Sequence, residues 1–241
     1  RLFHSANRMG MDVPYTKNEL NDAQHEIIKK MNISYGYIRP VIWRGSEMMA
    51  ISAQKNKINV AIATWEWPSY FSPEDRLRGI SLQTAEWRRP PANTMPTDAK
   101  AAGLYMICTL SKHKAEKEGF TDALMLDYEG KVCESTGSNI FFVFNGELHT
   151  PIPHCFLNGI TRQTAMSIAL NQNIKVVERD IYPEEIKDAD EIFLTGSAVE
   201  INPVRKIDNM EFKVGHITKM ISDLYLSEVD ENFQNNKENY Q

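Results

Sequence analysis

Lys100 lies in the run Asn93-Thr94-Met95-Pro96-Thr97-Asp98-Ala99-Lys100-Ala101-Ala102-Gly103-Leu104-Tyr105, between a proline-marked loop and a stretch of small residues. Alanine and glycine leave room for a bulky partner, and a lysine amine bonds covalently to carbonyl compounds. A solvated surface lysine would also fit the pattern. Leu157-Asn158-Gly159-Ile160-Thr161-Arg162 runs directly into a helical pattern. Free N–H groups at a helix start, beside a flexible glycine and a hydroxyl, suit an anion, although an ordinary capped helix begins the same way. Thr195-Gly196-Ser197-Ala198 is a second small, hydroxyl-bearing turn after the strand-like Glu191–Leu194. An isolated lysine with two such loops points to a phosphorylated carbonyl cofactor. Glu134 is expected to end a strand at Lys131–Cys133, followed by Ser135-Thr136-Gly137-Ser138-Asn139. There it is a plain turn residue, unless it faces a protonated ring nitrogen.

The elements that must position these groups read as follows. Thr16 and Glu19 form a capping box for a helix over 16–31, with Leu20, Ala23, Ile27 and Ile28 on one face. Strands are predicted at Tyr35–Trp43 and Ile58–Trp65. The run from Trp65 to Pro73 holds two prolines and four aromatics and reads as an inter-domain loop able to line a site. Further strands are predicted at Ala123–Asp127, Asn139–Phe144 and Glu147–Thr150, with Asn145-Gly146 as a type I′ hairpin turn. Helices are predicted at Gly103–Lys117, Thr161–Asn171 and His216–Glu228, and a frayed tail from Asp230. The mixture indicates an α+β fold with hairpins and packing helices.

The 241 residues are 42% hydrophobic and 24% charged, with a net charge of −5. That balance offers no basic stripe for nucleic acid. No apolar run approaches the roughly 20 residues that span a bilayer. Cys108, Cys133 and Cys155 are widely spaced and without CxxC pairing, so they read as reduced thiols in a cytoplasmic protein. The P-loop, GxGxxG, HExxH and GxSxG patterns are absent, and the scattered histidines give no metal site.

Taken in order, the segments Arg1-Leu2 with Ser5-Ala6, Tyr37-Ile38-Arg39-Pro40, Asn93 to Tyr105, Glu134 with Asn139-Ile140-Phe141, Leu157 to Arg162, and Thr195 to Glu200 carry a resemblance. The chain resembles the class IV pyridoxal-phosphate aminotransferases, most closely those for branched-chain amino acids. The resemblance implies a two-domain fold type IV enzyme: residues 1–64 as the remainder of a small α/β domain, 65–76 as an inter-domain loop, and 77–241 as a large cofactor-binding domain with hairpins and a barrel-like sheet. It implies transamination of Leu, Ile and Val with 2-oxoglutarate, in a homodimer or higher homo-oligomer. A D-amino acid aminotransferase, an aminodeoxychorismate lyase, or a non-catalytic binding protein on the same scaffold are the alternatives.

By the same resemblance, Lys100 would link covalently to pyridoxal 5'-phosphate and shuttle a proton, and Glu134 would pair with its ring nitrogen. Tyr105 would hydrogen-bond the phenolic oxygen. Arg1, the Gly159 turn, the N–H groups of Ile160 and Thr161, the Thr161 hydroxyl and Ser197 would hold the phosphate, with Leu157 against the ring. Trp67 and Tyr70 would wall the side-chain pocket. The Tyr37 hydroxyl and the Ser197–Ala198 backbone would take the α-carboxylate, and Arg39 the distal carboxylate of glutamate. The family's upstream segment is not in this sequence, so the small domain is expected to be truncated and Arg1 to be weakened by fraying. Asn158 and Ser197 stand where relatives often have Pro and Thr.

Overall fold

A computed structural model describes residues 1–67 and 78–236. The chain divides into two compact units, Arg1–Pro68 and Ser69–Asn232, with Phe233–Gln241 grouped with the first. In the first unit, α1 (Leu2–Arg8) and α2 (Lys17–Met31) precede an antiparallel pair, β1 (Gly36–Arg44) and β2 (Ile58–Glu66). The capping box forms as its sequence dictates: Thr16 N–H donates to Glu19 Oε2 at 2.7 Å, and Glu19 N–H to Thr16 Oγ1 at 3.2 Å. The helix ends where Asn32 turns left-handed at φ 50°. Arg44 ties β1 to the end of α1 by donating to the carbonyls of Met9 and Gly10.

The second unit is built on a nine-stranded sheet. Its strands are β3 (Ile80–Arg89), β4 (Asp122–Asp127), β5 (Val132–Ser135), β6 (Asn139–Phe144), β7 (Glu147–Thr150), β8 (Val176–Glu178), β9 (Glu191–Gly196), β10 (Glu200–Ile207) and β11 (Met210–Glu211). Pairing runs β10-β3-β4-β5-β6, and β9 bridges β6 back to β10, so these six strands close on themselves as a barrel. Ile80, Leu82, Leu124, Leu126, Ile140, Phe142, Leu194 and Val204 fill its interior. Outside, α3 (Met106–Lys117) packs on Ala85, Ala123 and Met125. On another sector, α4 (Ile160–Asn171) and α5 (His216–Asn236) pack on Phe141, Phe193 and Ile201.

The α+β fold and its barrel-like sheet are as expected, and Asn145 and Gly146 have the paired positive φ of a type I′ turn, 51° and 79°. Four expectations need correcting. Glu134 lies within β5 rather than after it. The helix expected from Gly103 begins as a 3₁₀ turn, Ala102–Tyr105, and becomes α only at Met106. The last helix runs through Asn236, beyond the expected fraying point. Trp65 and Glu66 belong to β2, so the expected loop starts later; its continuation over 68–76 lies outside the described residues.

Candidate active site

Glu134 is aimed by an irregularity. Met125 pairs with Glu134 and Leu126 with Val132, so Cys133 is an extra residue in β5. Strict alternation from the inward Val132 would turn Glu134 into the barrel; the bulge turns it outward instead. Cross-strand register then sets Met125, Glu134, Asn139, Thr195 and Ile201 in one row on the outer face. Met125 lies under α3 and Ile201 under α4 and α5. Glu134 therefore sits in the seam between two helical layers, where water is largely excluded and a side chain remains 8% exposed.

Burial pushes this carboxyl up to about 7, against the downward pull of the Arg89 and Lys100 charges. Arg89, at the end of β3 and 4% exposed, places Nη2 3.3 Å from Glu134 Oε1. Its remaining N–H groups donate to the carbonyls of Cys155 and Leu104 and to Cys108 Sγ. Burial pushes the Cys108 thiol up to about 11, so Arg89 meets a neutral thiol and its counter-charge is Glu134. Burial lowers the Arg89 pKa, but the Glu134 carboxylate together with the Cys108 and Cys133 sulfurs offsets this, and the net shift is upward. On its other side, Glu134 accepts a 3.4 Å hydrogen bond from Asn139 Nδ2.

Lys100 follows the fully buried Ala99 and is itself exposed. The 3₁₀ turn brings Tyr105 beside it, and Lys100 Nζ donates to Tyr105 Oη at 2.9 Å. The lysine charge reaches Glu134. An amine, a phenol and a buried carboxyl thus converge in one unit, which suits covalent capture of a carbonyl with an acid opposite.

The start of α4 faces the same row. Asn139 bridges the two, donating to the Leu157 carbonyl at 2.9 Å and accepting from Gly159 N–H at 3.2 Å. A side chain on Gly159 would collide with that amide, so glycine is required by close approach rather than by φ. Gly159 caps α4 without a side-chain acceptor, whereas Glu191 accepts from the N–H groups of Ile217 and Thr218 in the first turn of α5. The first-turn amides of α4 are accordingly available to an anion. Arg162, fully buried, fixes this helix end by bonding Thr150 Oγ1, Asn158 Oδ1, the Pro151 carbonyl and Glu178. Thr161 is buried with its hydroxyl against Tyr225, Ile160 is exposed and Leu157 half-buried. Ser197 is exposed and Ala198 half-buried in the β9–β10 turn, which Glu200 closes at φ 54°. The Thr195 hydroxyl, next to Asn139 in the row, is buried without a hydrogen-bond partner.

In the first unit, Tyr37 pairs with Trp65 and Arg39 with Ala63, so all four project from one face of the β1–β2 pair. Tyr37 contacts Trp65 and Trp67 at ring separations of 5.2 and 5.9 Å, and the Arg39 guanidinium lies 5.3 Å from the Tyr37 ring centre and 5.6 Å from that of Trp65. The result is an aromatic face carrying one fixed cation. Arg1 is exposed at the start of α1, and Tyr70 lies outside the described residues. Arg89, Trp65 and the bridging role of Asn139 were missed from sequence. Arg89 carried one available signal, a charged residue at the end of a strand that was itself unpredicted.

The sequence from 1 to 207 matches the family model described as amino-transferase class IV. A branched-chain-amino-acid aminotransferase of Pseudomonas aeruginosa is 39% identical over 215 residues, which is 89% of this chain and 70% of that protein. The crystal structure of a branched-chain aminotransferase from Thermoproteus uzoniensis, with norvaline, superposes at a TM-score of 0.89 with 36% identity, covering 93% of this chain and 75% of the other. An aminotransferase from Brucella abortus, solved bound to the cofactor PLP, gives a TM-score of 0.84 and 32% identity over 94% of this chain and 80% of its own. Likeness of this extent, in sequence and in fold together, makes the chain a member of the class IV aminotransferase family.

Proposed function

We propose that this protein transfers the amino group of branched-chain L-amino acids to 2-oxoglutarate with pyridoxal phosphate, as a homodimer or larger homo-oligomer in the cytoplasm. The observation that carries the reading is the Lys100 amine, bonded to Tyr105 and acting electrostatically on the buried Glu134. The named relatives support the substrate class, and three free thiols support a reducing compartment. Among the described residues no helix is long and apolar enough to cross a membrane.

The residues fit the cofactor. The burial of the Glu134 carboxyl is only partly offset by the Arg89 and Lys100 charges, and a protonated ring nitrogen would add to that offset. The α4 start lacks a side-chain acceptor, which a phosphate would supply. When bound, pyridoxal phosphate offers an aldehyde to the amino group and a ring that draws off the electron pair left at the substrate Cα.

The chain's own groups do the rest. Lys100 Nζ, as free amine, carries the proton taken from the substrate Cα. Glu134, whose ionised form Arg89 favours, would pair with the ring nitrogen and keep a proton on it. Tyr105 would donate to the phenolic oxygen, and Leu157 would pack on the ring. The N–H groups of Ile160 and Thr161, with the Gly159 turn and the hydroxyls of Thr161 and Ser197, would hold the phosphate, as would Arg1. For substrate, the Tyr37 hydroxyl and the Ser197–Ala198 backbone take the α-carboxylate. Trp67 and Tyr70 bound the apolar side chain, and Arg39 takes the distal carboxylate of glutamate, so one site serves both half-reactions.

The test offers leucine, D-alanine and aminodeoxychorismate in competition to cofactor-loaded protein with 2-oxoglutarate. Conversion of leucine to its 2-oxo acid is expected. Turnover of either competitor alone would replace the reading with that activity. Borohydride reduction should fix the cofactor to the Lys100 peptide; no adduct in loaded protein would indicate a binding protein.

A further inference from the structure

We propose that Asp127, Cys133 and Cys155 form a binding site for a thiophilic divalent metal ion of the zinc class, separate from the groups that handle cofactor and substrate. One ligand atom from each lies within 4.8 Å of the others, and the two sulfurs are 3.2 Å apart. Tetrahedral zinc with bonds of about 2.3 Å holds two sulfurs roughly 3.8 Å apart. The thiols therefore need to separate by only about half an ångström to admit the ion.

The surroundings suit such a site. Cys133 and Cys155 are 1% and 3% exposed and pack with Phe156, which gives the sulfurs a dry floor. Asp127 is anchored through Oδ1, which accepts from the N–H groups of Glu129 and Lys131 at 2.9 and 2.8 Å. Its second oxygen is not used by that turn. A cleft of roughly 370 Å³ lined by Asp127, His154, Cys155 and Lys131 supplies an entry path and room for a water at the fourth position. Two thiolates, a carboxylate and a divalent ion leave one net negative charge, at a cleft lined also by Lys131, which is paired with Glu129 and Asp180.

Two S–H bonds break and two metal–sulfur bonds form, with two protons passing to solvent; no oxidant is needed. That proton release is a measurable signature. Because the ion displaces the thiol protons, occupancy should strengthen as pH rises. The extra residue of the β5 bulge is Cys133, and the carbonyl of Cys155 accepts from Arg89, so an ion here would also stiffen the frame around Glu134.

Reduced, cofactor-loaded protein is to be titrated with Zn²⁺ and separately with Cd²⁺, whose thiolate complexes absorb in the ultraviolet. About one ion per chain is expected, with about two protons released per ion and the Cd²⁺ band present. Cys133→Ala and Cys155→Ala should abolish the band. Asp127→Asn retains an Oδ1 for the turn, and should weaken Zn²⁺ binding roughly tenfold or more without altering the circular dichroism. Zn²⁺ uptake that survives both cysteine replacements would overturn the proposal. So would reduced, folded protein that takes no ion and shows only a Cys133–Cys155 disulfide in air.

Discussion

Replacing Arg89 by methionine should move the proton on Glu134. The guanidinium stands 3.3 Å from a carboxyl that burial has already raised to about 7. At that separation and an effective dielectric of about 20, the attraction is about 5 kcal/mol. At about 1.4 kcal/mol per pKa unit this corresponds to some 3 to 4 units, so Glu134 in the variant keeps its proton to about pH 10. A protonated Glu134 cannot hold a proton on a nitrogen facing it. Turnover at neutral pH should fall roughly thousandfold and recover about tenfold per pH unit on the alkaline side, as the ionised fraction does. Arg89→Lys keeps a cation and should restore most of the rate.

Stability provides an independent readout in cofactor-free protein. The folded pKa of Glu134 exceeds its unfolded value, so its stabilising contribution is complete below the ordinary carboxylate range and is lost as pH rises to about 7. The loss across that window is about 3 kcal/mol. Arg89→Met should extend it upward, giving melting temperatures that keep falling with pH beyond neutrality. Infrared difference spectra should show a protonated carboxyl band in Arg89→Met that vanishes when Glu134→Gln is added. A pH–rate profile parallel to that of the native protein, with no such band, would refute the reasoning.

Lys100→Ala removes the amine that takes the proton, and turnover should drop by roughly 10²–10⁴-fold or more, with mass spectrometry finding no cofactor retained after borohydride. Gly159→Ala sets a methyl against the Asn139 amide, so the α4 amides shift, and spectroscopic titration should show cofactor binding weakened roughly tenfold. Arg39→Ala should raise KM for 2-oxoglutarate about tenfold or more while leaving KM for leucine nearly unchanged. Arg162→Met removes a buried guanidinium and leaves the Pro151 carbonyl without its donor, while the exposed Glu178 carboxylate returns to water; thermal denaturation should show a loss of about 1–3 kcal/mol.

How much of this was legible depended on the kind of signal. The capping box at Thr16, the Asn145-Gly146 turn and the long apolar strands β4 and β6 are local patterns, and they fold as read. β3 was not read, because Ile80-Ser81-Leu82-Gln83-Thr84-Ala85-Glu86-Trp87-Arg88-Arg89 has a buried start, an exposed Glu86–Arg88 stretch and a buried arginine at its end, and its two partners are distant in sequence. Without β3 there is no place for Arg89. β10 was hidden by Pro203, an expected strand breaker, which here pairs with Phe193 on the β9 side. Lys100, Tyr105 and the 157–162 run were legible because their chemistry lies within a few consecutive residues. The environment of Glu134 was not, since its neighbours come from β3, β6 and the loop before α4.

The direction in which Glu134 points shows why spacing alone falls short at such a site. Alternation along β5 assigns it to the interior with Val132, and only the pairing of Leu126 with Val132 and of Met125 with Glu134 exposes the extra residue. Regular pairing onward from Val132 would set Cys133 against Met125 and Glu134 against Leu124, turning Glu134 toward the apolar interior formed by Leu124, Ile140 and Leu194. A carboxylate there would lose Arg89, and a protonated acid would have no partner among those side chains. The bulge, the glycine at the α4 start and the left-handed Glu200 are each costly in a regular element. All three lie along the Glu134–Asn139–Thr195 row or at its edge, where the chain departs from regularity to present polar groups outward.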